Sequence, residues 1–189
     1  MGLTPESFGI DVSFVPMLRR MCGDSGARPV RGRWRSYPRA VARLLRSALP
    51  SEGTFHVTAR GVDGASIFRD DDDRRFFLRE LGRSARRHGW TCHVFCLMTN
   101  HYHLLVTASR DDLSAGLHRL DGIHALRFNR RHRRTGHLFG DRFASKLIRD
   151  DAHLRRAALY ILNNPVRAGL CERASDWPWS GVDERTFAR

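Results

Sequence analysis

Two histidines, His101 and His103, stand one residue apart in a stretch rich in β-forming residues (HYHLLVTAS, 101–109). Residues i and i+2 of a strand point to the same face of a sheet, so both imidazoles can converge on one metal ion. Imidazole nitrogens suit Mn²⁺, Co²⁺, Ni²⁺ or Zn²⁺, and Mg²⁺ where oxygen ligands and water complete the shell. The pair alone is a weak signal, because a chain with ten histidines contains such pairs by chance.

A second pair of chemically capable residues, Tyr160 and Asn164, closes the predicted helix DAHLRRAALYILNN (151–164). Helical positions four apart share a face, so the phenol and the amide point together. An amide oxygen is a hard metal ligand, and a phenol can attack phosphorus to form a covalent phosphotyrosine while a metal polarises the phosphate. The spacing leaves a structural alternative open, in which Tyr160 is a buried aromatic residue and Asn164 caps the helix before Pro165.

Only three tyrosines occur in the chain, and their positions favour one of them as a nucleophile. Tyr37 lies in an arginine-rich N-terminal segment. Tyr102 stands between His101 and His103, so it points away from them if the histidines share a face. If the protein uses a tyrosine nucleophile, we expect Tyr160.

Several stretches resemble, in the same order and spacing, the HUH single-tyrosine transposases of simple insertion sequences and of repetitive extragenic palindromes. CLMTNHYHLLV (96–106) resembles the metal-binding strand of that family, and YILNNPVRAGL (160–170) resembles its tyrosine helix. The similarity runs from about Pro38 to Gly181 and includes three further stretches: HVTARGVDGASIFRDDDDRRFFLREL (56–81), FNRRHRRTGHLFGDRF (128–143) and DWPWSG (176–181).

The resemblance implies a nuclease that recognises a DNA hairpin, nicks one strand and holds the 5′ phosphate on tyrosine until a 3′ hydroxyl reverses the bond. By position, His101 and His103 match the HUH pair, Tyr160 the nucleophile and Asn164 the third ligand of a divalent metal, with Mg²⁺ or Mn²⁺ expected. Two departures are Tyr102, where relatives have a bulky apolar residue, and His124, at a position where relatives often have tyrosine.

The charge of the chain indicates a polyanionic partner. There are 33 Lys and Arg against 20 Asp and Glu, a formal net charge of +13, and nucleic acid is the usual partner of such a field. Side chains expected to contact DNA are five cations and one tryptophan that could stack on unpaired bases: Arg60, Arg130, Arg131, Arg142, Lys146 and Trp179. The alternative is a solvated basic face, with Trp177 and Trp179 forming a clamp that closes the core.

Hydrophobic periodicity predicts the element order β-α-β-β-α-β-α, which is an α+β, ferredoxin-like split βαβ fold. We expect an antiparallel sheet with the helices on one face and an irregular C-terminal tail (172–184). The predicted strands are 54–61, 91–99, 101–109 and 143–150, and the predicted helices are 70–89, 113–132 and 151–164.

Composition also divides the chain. Residues 1–50 are arginine-rich without a clean period and are expected to form a basic arm, either flexible or ordered on DNA; residues 51–189 are expected to form the nuclease domain. No run of 18 apolar residues predicts a membrane span, and the N-terminus lacks the pattern of a secretory signal. The scattered cysteines fit structural thiols in a reducing cytoplasm, with the protein associated with the nucleoid.

These observations favour a metal-dependent endonuclease and strand transferase that acts on hairpin-bearing single-stranded DNA, as a monomer or a homodimer. The alternative is a domesticated DNA- or RNA-binding protein on the same fold that does not cleave. A replication or plasmid-transfer initiator of the same chemistry is disfavoured by the short length and the absence of a helicase-like segment.

Overall fold

The computed structural model describes residues 50–183. The basic arm predicted for residues 1–50 therefore lies outside the described residues, apart from Pro50. The described elements follow the predicted order β-α-β-β-α-β-α and add a short helix and a fifth strand. In chain order they are β1 (Glu52–Arg60), α1 (Asp71–His88), β2 (Thr91–Leu97), β3 (His101–Ser109), α2 (Arg110–Arg131), β4 (Ala144–Leu147), α3 (Asp151–Leu162), α4 (Asn164–Arg167) and β5 (Ser180–Val182).

The strands form one sheet in the order β4-β1-β3-β2-β5, and every neighbouring pair is antiparallel. This arrangement confirms the predicted α+β, ferredoxin-like architecture. The histidine-bearing strand β3 occupies the centre, where β1 and β2 hold it from both sides. Thr58 lies opposite His103, and Arg60 lies opposite His101, so the histidine pair is fixed by backbone pairing on an interior strand.

The helices divide between the two faces of the sheet. One face packs against α1 and α2 around a core that includes Phe55, Phe77 and Tyr102. The other face packs against α3, with Leu105 at its centre. The expectation of helices on one face thus holds for α1 and α2, while α3 covers the opposite face. The physical reason lies in β3, whose apolar run Leu104–Val106 is buried on both faces and needs a cover on each.

The position of α3 follows from its apolar side. Ala157, Ala158 and Ile161 are buried against the sheet, and the two alanines let the helix backbone approach the strands closely. The helix begins at the N-cap Asp150, whose carboxylate accepts a hydrogen bond from the His153 backbone N–H. This packing places the C-terminal end of α3 beside the start of the central strand β3.

The C-terminal tail is more ordered than predicted. β5 pairs with β2, and the Leu97 N–H donates to the Trp179 carbonyl at 2.8 Å. The Trp177 indole N–H donates to the Leu97 carbonyl at 3.1 Å. Trp179 packs against the core on one side of the sheet, and Trp177 packs against the other. Both tryptophan side chains therefore pack against the core, as the alternative of a tryptophan clamp expects.

The described cysteines are free thiols: Cys92, Cys96 and Cys171. Burial raises the pKa of the Cys92 and Cys96 thiols to about 12, so both stay protonated and pack as apolar groups. Cys22 lies outside the described residues. Over residues 50–183, every helix is too short or too polar to cross a lipid bilayer.

Candidate active site

His101 and His103 share the sheet face that α3 covers, and their ring centroids lie 5.0 Å apart. His103 is only 6% exposed, and burial, followed by the charges of neighbouring His56 and His101, holds its pKa well below the ordinary range. Burial also lowers the pKa of His101, with the charge of Arg60 as the second cause. Both imidazoles are therefore neutral near pH 7, which is the form that binds a metal ion.

The Asn164 amide lies against both imidazoles. Its Nδ2 donates to His103 Nε2 at 3.0 Å, and a hydrogen bond that His101 donates to the oxygen of the same amide raises the pKa of His101. Two imidazole nitrogens and one amide oxygen are thus gathered in one place. This neutral N,N,O donor set fits a divalent cation that completes its shell with water or phosphate oxygens. Rotation of the Asn164 amide by half a turn would present Oδ1 to the cation in place of the NH₂ group.

Tyr160 stands beside the same imidazole, half-buried on the last turns of α3. Its ring centroid lies 5.8 Å from that of His103 and 6.0 Å from that of His56, in edge-on arrangements. The helix-cap alternative for Asn164 is not what the structure contains, since Asn163 is the C-cap of α3 and its Nδ2 donates to the Leu159 carbonyl. The structure therefore brings the four residues of the sequence prediction into one cluster around His103.

Two guanidinium groups flank the cluster. Arg60, the exposed last residue of β1, lies opposite His101 in the sheet. Arg167 places its guanidinium carbon 5.0 Å from the centroid of the Tyr160 ring, and its charge contributes to the lowered pKa of His103. Arg167 was missed in the sequence, because it lies beyond the predicted helix 151–164, at the end of the separate short helix α4.

Lys146 and Arg142 lie on the strand-β4 side of the site. Lys146 is opposite His56 in the register of β1 and β4 and faces the same side of the sheet. Its charge is the second cause, after burial, of the lowered pKa of His56. Arg142 and Arg60 line a cleft of about 560 Å³ at the end of β1. Asp63 and Asp141 line the same cleft, and its two arginines are the groups suited to a phosphodiester chain.

The remaining predicted DNA contacts lie away from the histidines. Arg131 is committed to the α1 N-terminus, with Nη1 at 2.6 Å from Asp70 and 2.8 Å from Asp73. Arg130 is exposed on the last turn of α2. Trp179 is half-buried, with the Arg74 guanidinium 5.6 Å from its ring. The geometry gives Arg131 and Trp179 structural contacts, and the interaction of these three residues with DNA stays a prediction.

Among residues 50–183, one group of at least three His, Cys, Asp or Glu residues brings its ligand atoms within 4.8 Å of one another: Asp70, Asp73 and His132. His132 Nε2 lies 2.8 Å from an Asp73 oxygen, and the Arg131 guanidinium bonds both aspartates. Both carboxylates are already paired with the Arg131 guanidinium, so the cluster ties the end of α2 to the start of α1.

Tyr102 points to the opposite face from the histidines, as its position between them predicts. The side chain is fully buried, and its hydroxyl donates to Asp121 of α2 at 2.8 Å. Burial raises the pKa of Asp121 to about 7. The tyrosine in the middle of the histidine motif thus anchors β3 to α2 and is turned away from the cluster around His103.

Comparison with known proteins places this geometry in a family. The model of the family described as "Transposase IS200 like" matches residues 51–164, a span that includes both histidines, Tyr160 and Asn164. A curated relative from Haemophilus influenzae (strain ATCC 51907 / DSM 11121 / KW20 / Rd), named as a REP-associated tyrosine transposase, is 32% identical over an alignment covering 46% of this chain and 56% of the relative. The chain therefore matches little more than half of that relative.

A solved structure shares the fold. It is described as a REP-associated tyrosine transposase bound to a REP hairpin, and it superposes with a TM-score of 0.58 at 20% sequence identity. The match covers 69% of this chain and 77% of the other. At this identity the likeness supports the architecture of the sheet and helices.

Proposed function

The chain belongs to the family of IS200-like transposases, and on that premise we propose that it cuts and rejoins single-stranded DNA through a phosphotyrosine at Tyr160. His101, His103 and Asn164 would hold the divalent metal, Mg²⁺ or Mn²⁺. The observation that carries the proposal is the meeting of α3 and β3 at His103, where the Asn164 amide is 3.0 Å from the imidazole and the Tyr160 ring is adjacent.

The reaction is a pair of phosphoryl transfers. The Tyr160 hydroxyl attacks the scissile phosphorus, the P–O3′ bond breaks, and the 3′ oxygen leaves with a proton while the 5′ phosphate stays on the tyrosine. A 3′ hydroxyl then attacks the phosphotyrosine and returns the proton to the phenol oxygen. A bound divalent cation would polarise a non-bridging phosphate oxygen and stabilise the charge that develops there.

Arg167 and Arg60 are proposed to hold the phosphate for this attack. The Arg167 guanidinium lies over the nucleophile's own ring, and Arg60 lies opposite His101 in the sheet. Guanidinium groups bind two phosphate oxygens at once. Positive charge fixed in place before the reaction also stabilises the transition state more than the ground state.

The substrate is proposed to be single-stranded DNA that carries a hairpin. The cleft at the end of β1, with Arg60 and Arg142 in its lining, would hold the strand next to the scissile phosphate, since Arg60 lies opposite His101 in the sheet. Lys146 adds a cation on the same face. We assign the activity to residues 51–189 and an accessory role in DNA binding to the arm before them.

The test is the formation of a covalent adduct. The full chain is incubated with a labelled hairpin-bearing oligonucleotide and Mn²⁺ or Mg²⁺, and the products are separated on a denaturing gel. We expect a labelled protein band that is lost in Tyr160→Phe and kept in Tyr37→Phe, the matched control. Tight binding without any adduct, unchanged by a chelator, would favour the non-cleaving DNA- or RNA-binding protein instead.

A further inference from the structure

A third histidine stands behind the proposed metal ligands. His56 lies in β1 on the same sheet face and is 7% exposed. Its Nε2 is 3.0 Å from His103 Nδ1, the two ring centroids are 5.1 Å apart, and the Tyr160 ring covers it edge-on. A buried hydrogen bond between two imidazoles needs a defined proton on one of the facing nitrogens.

Proton counting fixes the direction of this hydrogen bond. A neutral imidazole carries one proton, and the nitrogen that binds a metal must be free of it. Asn164 contacts His103 at Nε2, so Nε2 is the ligand atom on the proposed site. The proton of His103 therefore belongs on Nδ1, which donates to His56 Nε2. The reverse direction would place a proton on Nε2 of His103 and block the site.

His56 is not itself placed as a ligand beside the other two histidines. Over the part of the chain that the structure describes, His56, His101 and His103 do not bring three ligand atoms within 4.8 Å of one another. The third donor at the histidine pair is the Asn164 amide, while His56 contacts the rear nitrogen of His103. Metal-binding histidines commonly need such a partner on the second nitrogen, which fixes the ring orientation and tautomer.

We propose that His56 is a positioning residue, which accepts the Nδ1 proton of His103 and thereby holds Nε2 of that ring toward a divalent cation. The inference rests on the proposed function, because it assumes that His103 binds the metal. An imidazole takes the place that a carboxylate or backbone carbonyl often fills.

The test measures Mn²⁺ affinity of the full chain by titration calorimetry and electron paramagnetic resonance, without DNA. His56→Phe keeps a ring but removes the acceptor, and we expect Mn²⁺ binding about 10- to 100-fold weaker. His56→Gln places an amide oxygen near the position of Nε2 and is expected to restore affinity to within about threefold of wild type. His118→Gln, on the exposed side of α2, is the control.

Each outcome separates this inference from the proposed function. If His56→Phe binds Mn²⁺ as tightly as wild type while wild type forms the DNA adduct, the role of His56 is overturned and the function stands. If wild type neither binds Mn²⁺ nor forms the adduct, both are overturned. If His56→Phe and His56→Gln lose Mn²⁺ affinity equally while their thermal unfolding midpoints match wild type, the acceptor role of His56 is wrong.

A second measurement covers the case in which His56→Phe does not fold. Nitrogen-15 NMR of the wild-type imidazoles, in metal-free protein near neutral pH, reports which ring nitrogen carries the proton. We expect His103 as the Nδ1–H tautomer and His56 as the tautomer with a bare Nε2. A proton on Nε2 of His103 contradicts the proposal.

Discussion

The hydrogen-bonded pair of fully buried Tyr102 and partly buried Asp121 predicts an unusual dependence of stability on pH. Burial raises the pKa of Asp121 from 3.8 to about 7, although the Tyr102 hydroxyl donates to it and favours the charged form. The two pKa values differ by about three, and each unit corresponds to about 1.4 kcal/mol. Ionising Asp121 in the folded protein therefore costs up to about 4 kcal/mol relative to the unfolded chain.

The sign follows from proton binding. Below about pH 4 the carboxyl is protonated in both states. Between about pH 4 and pH 7 the folded state keeps a proton that the unfolded state has lost, so the free energy of unfolding falls as pH rises. Asp121→Asn removes this titration and keeps an oxygen to accept the Tyr102 hydrogen bond. The variant should match wild type near pH 4 and exceed its stability by up to about 4 kcal/mol near pH 8.

The assay is urea unfolding of the full chain at pH 4, 6 and 8, comparing wild type with Asp121→Asn. The difference in free energy of unfolding between the two proteins cancels the contributions of the other titrating groups. Asp111→Asn, whose carboxylate is 92% exposed on the same helix, is the matched control and should show no such trend. A difference between Asp121→Asn and wild type that stays constant from pH 4 to pH 8 refutes the reasoning.

Three further predictions concern the site and its surroundings. Asn164→Ala should weaken Mn²⁺ binding about 10- to 100-fold by calorimetry because it removes the third donor, whereas Asn163→Ala should leave affinity unchanged; equal effects would contradict the assignment. Arg167→Ala should slow single-turnover adduct formation about 100-fold or more, and an unaltered rate would remove Arg167 from the reaction. Arg142→Ala should make the slope of log affinity for single-stranded DNA against log salt shallower by about 0.7. Arg131→Ala should instead lower the urea midpoint of unfolding, since buried Asp73 loses its guanidinium partner at 2.8 Å and keeps Arg127 at 3.9 Å.

Local patterns made much of the fold predictable. The aspartates at the start of α1 and Gly89 after it predict the ends of that helix, and the structure has Asp70 as N-cap and Gly89 in the left-handed region at φ 64°. β5 was not predictable in the same way. Its three residues Ser180–Val182 have no strand pattern of their own. They are held by pairing with β2, a strand far away along the chain.

The site residues that sequence reasoning missed are those defined by distant contacts. His56 is 47 residues from His103, and neither histidine's neighbours indicate the bond between them. The DNA contact expected of Arg131 stays a prediction, but its hydrogen bond to Asp70, 61 residues earlier, could not be predicted from its neighbours. Spacing within one element predicts which side chains share a face, while pairing between elements depends on the assembled sheet and helices.

The packing of α3 on its own sheet face is what turns two weak motifs into one site. The His-x-His pair is fixed by β3, which is held between β1 and β2. Tyr160 lies near the end of α3, and Asn164 begins α4 directly after the Asn163 cap. Both are placed by the packing of Ala157, Ala158 and Ile161 of α3 against the strands. Nucleophile and third ligand therefore share one rigid support, so a displacement of α3 would remove both from His103 in a single step.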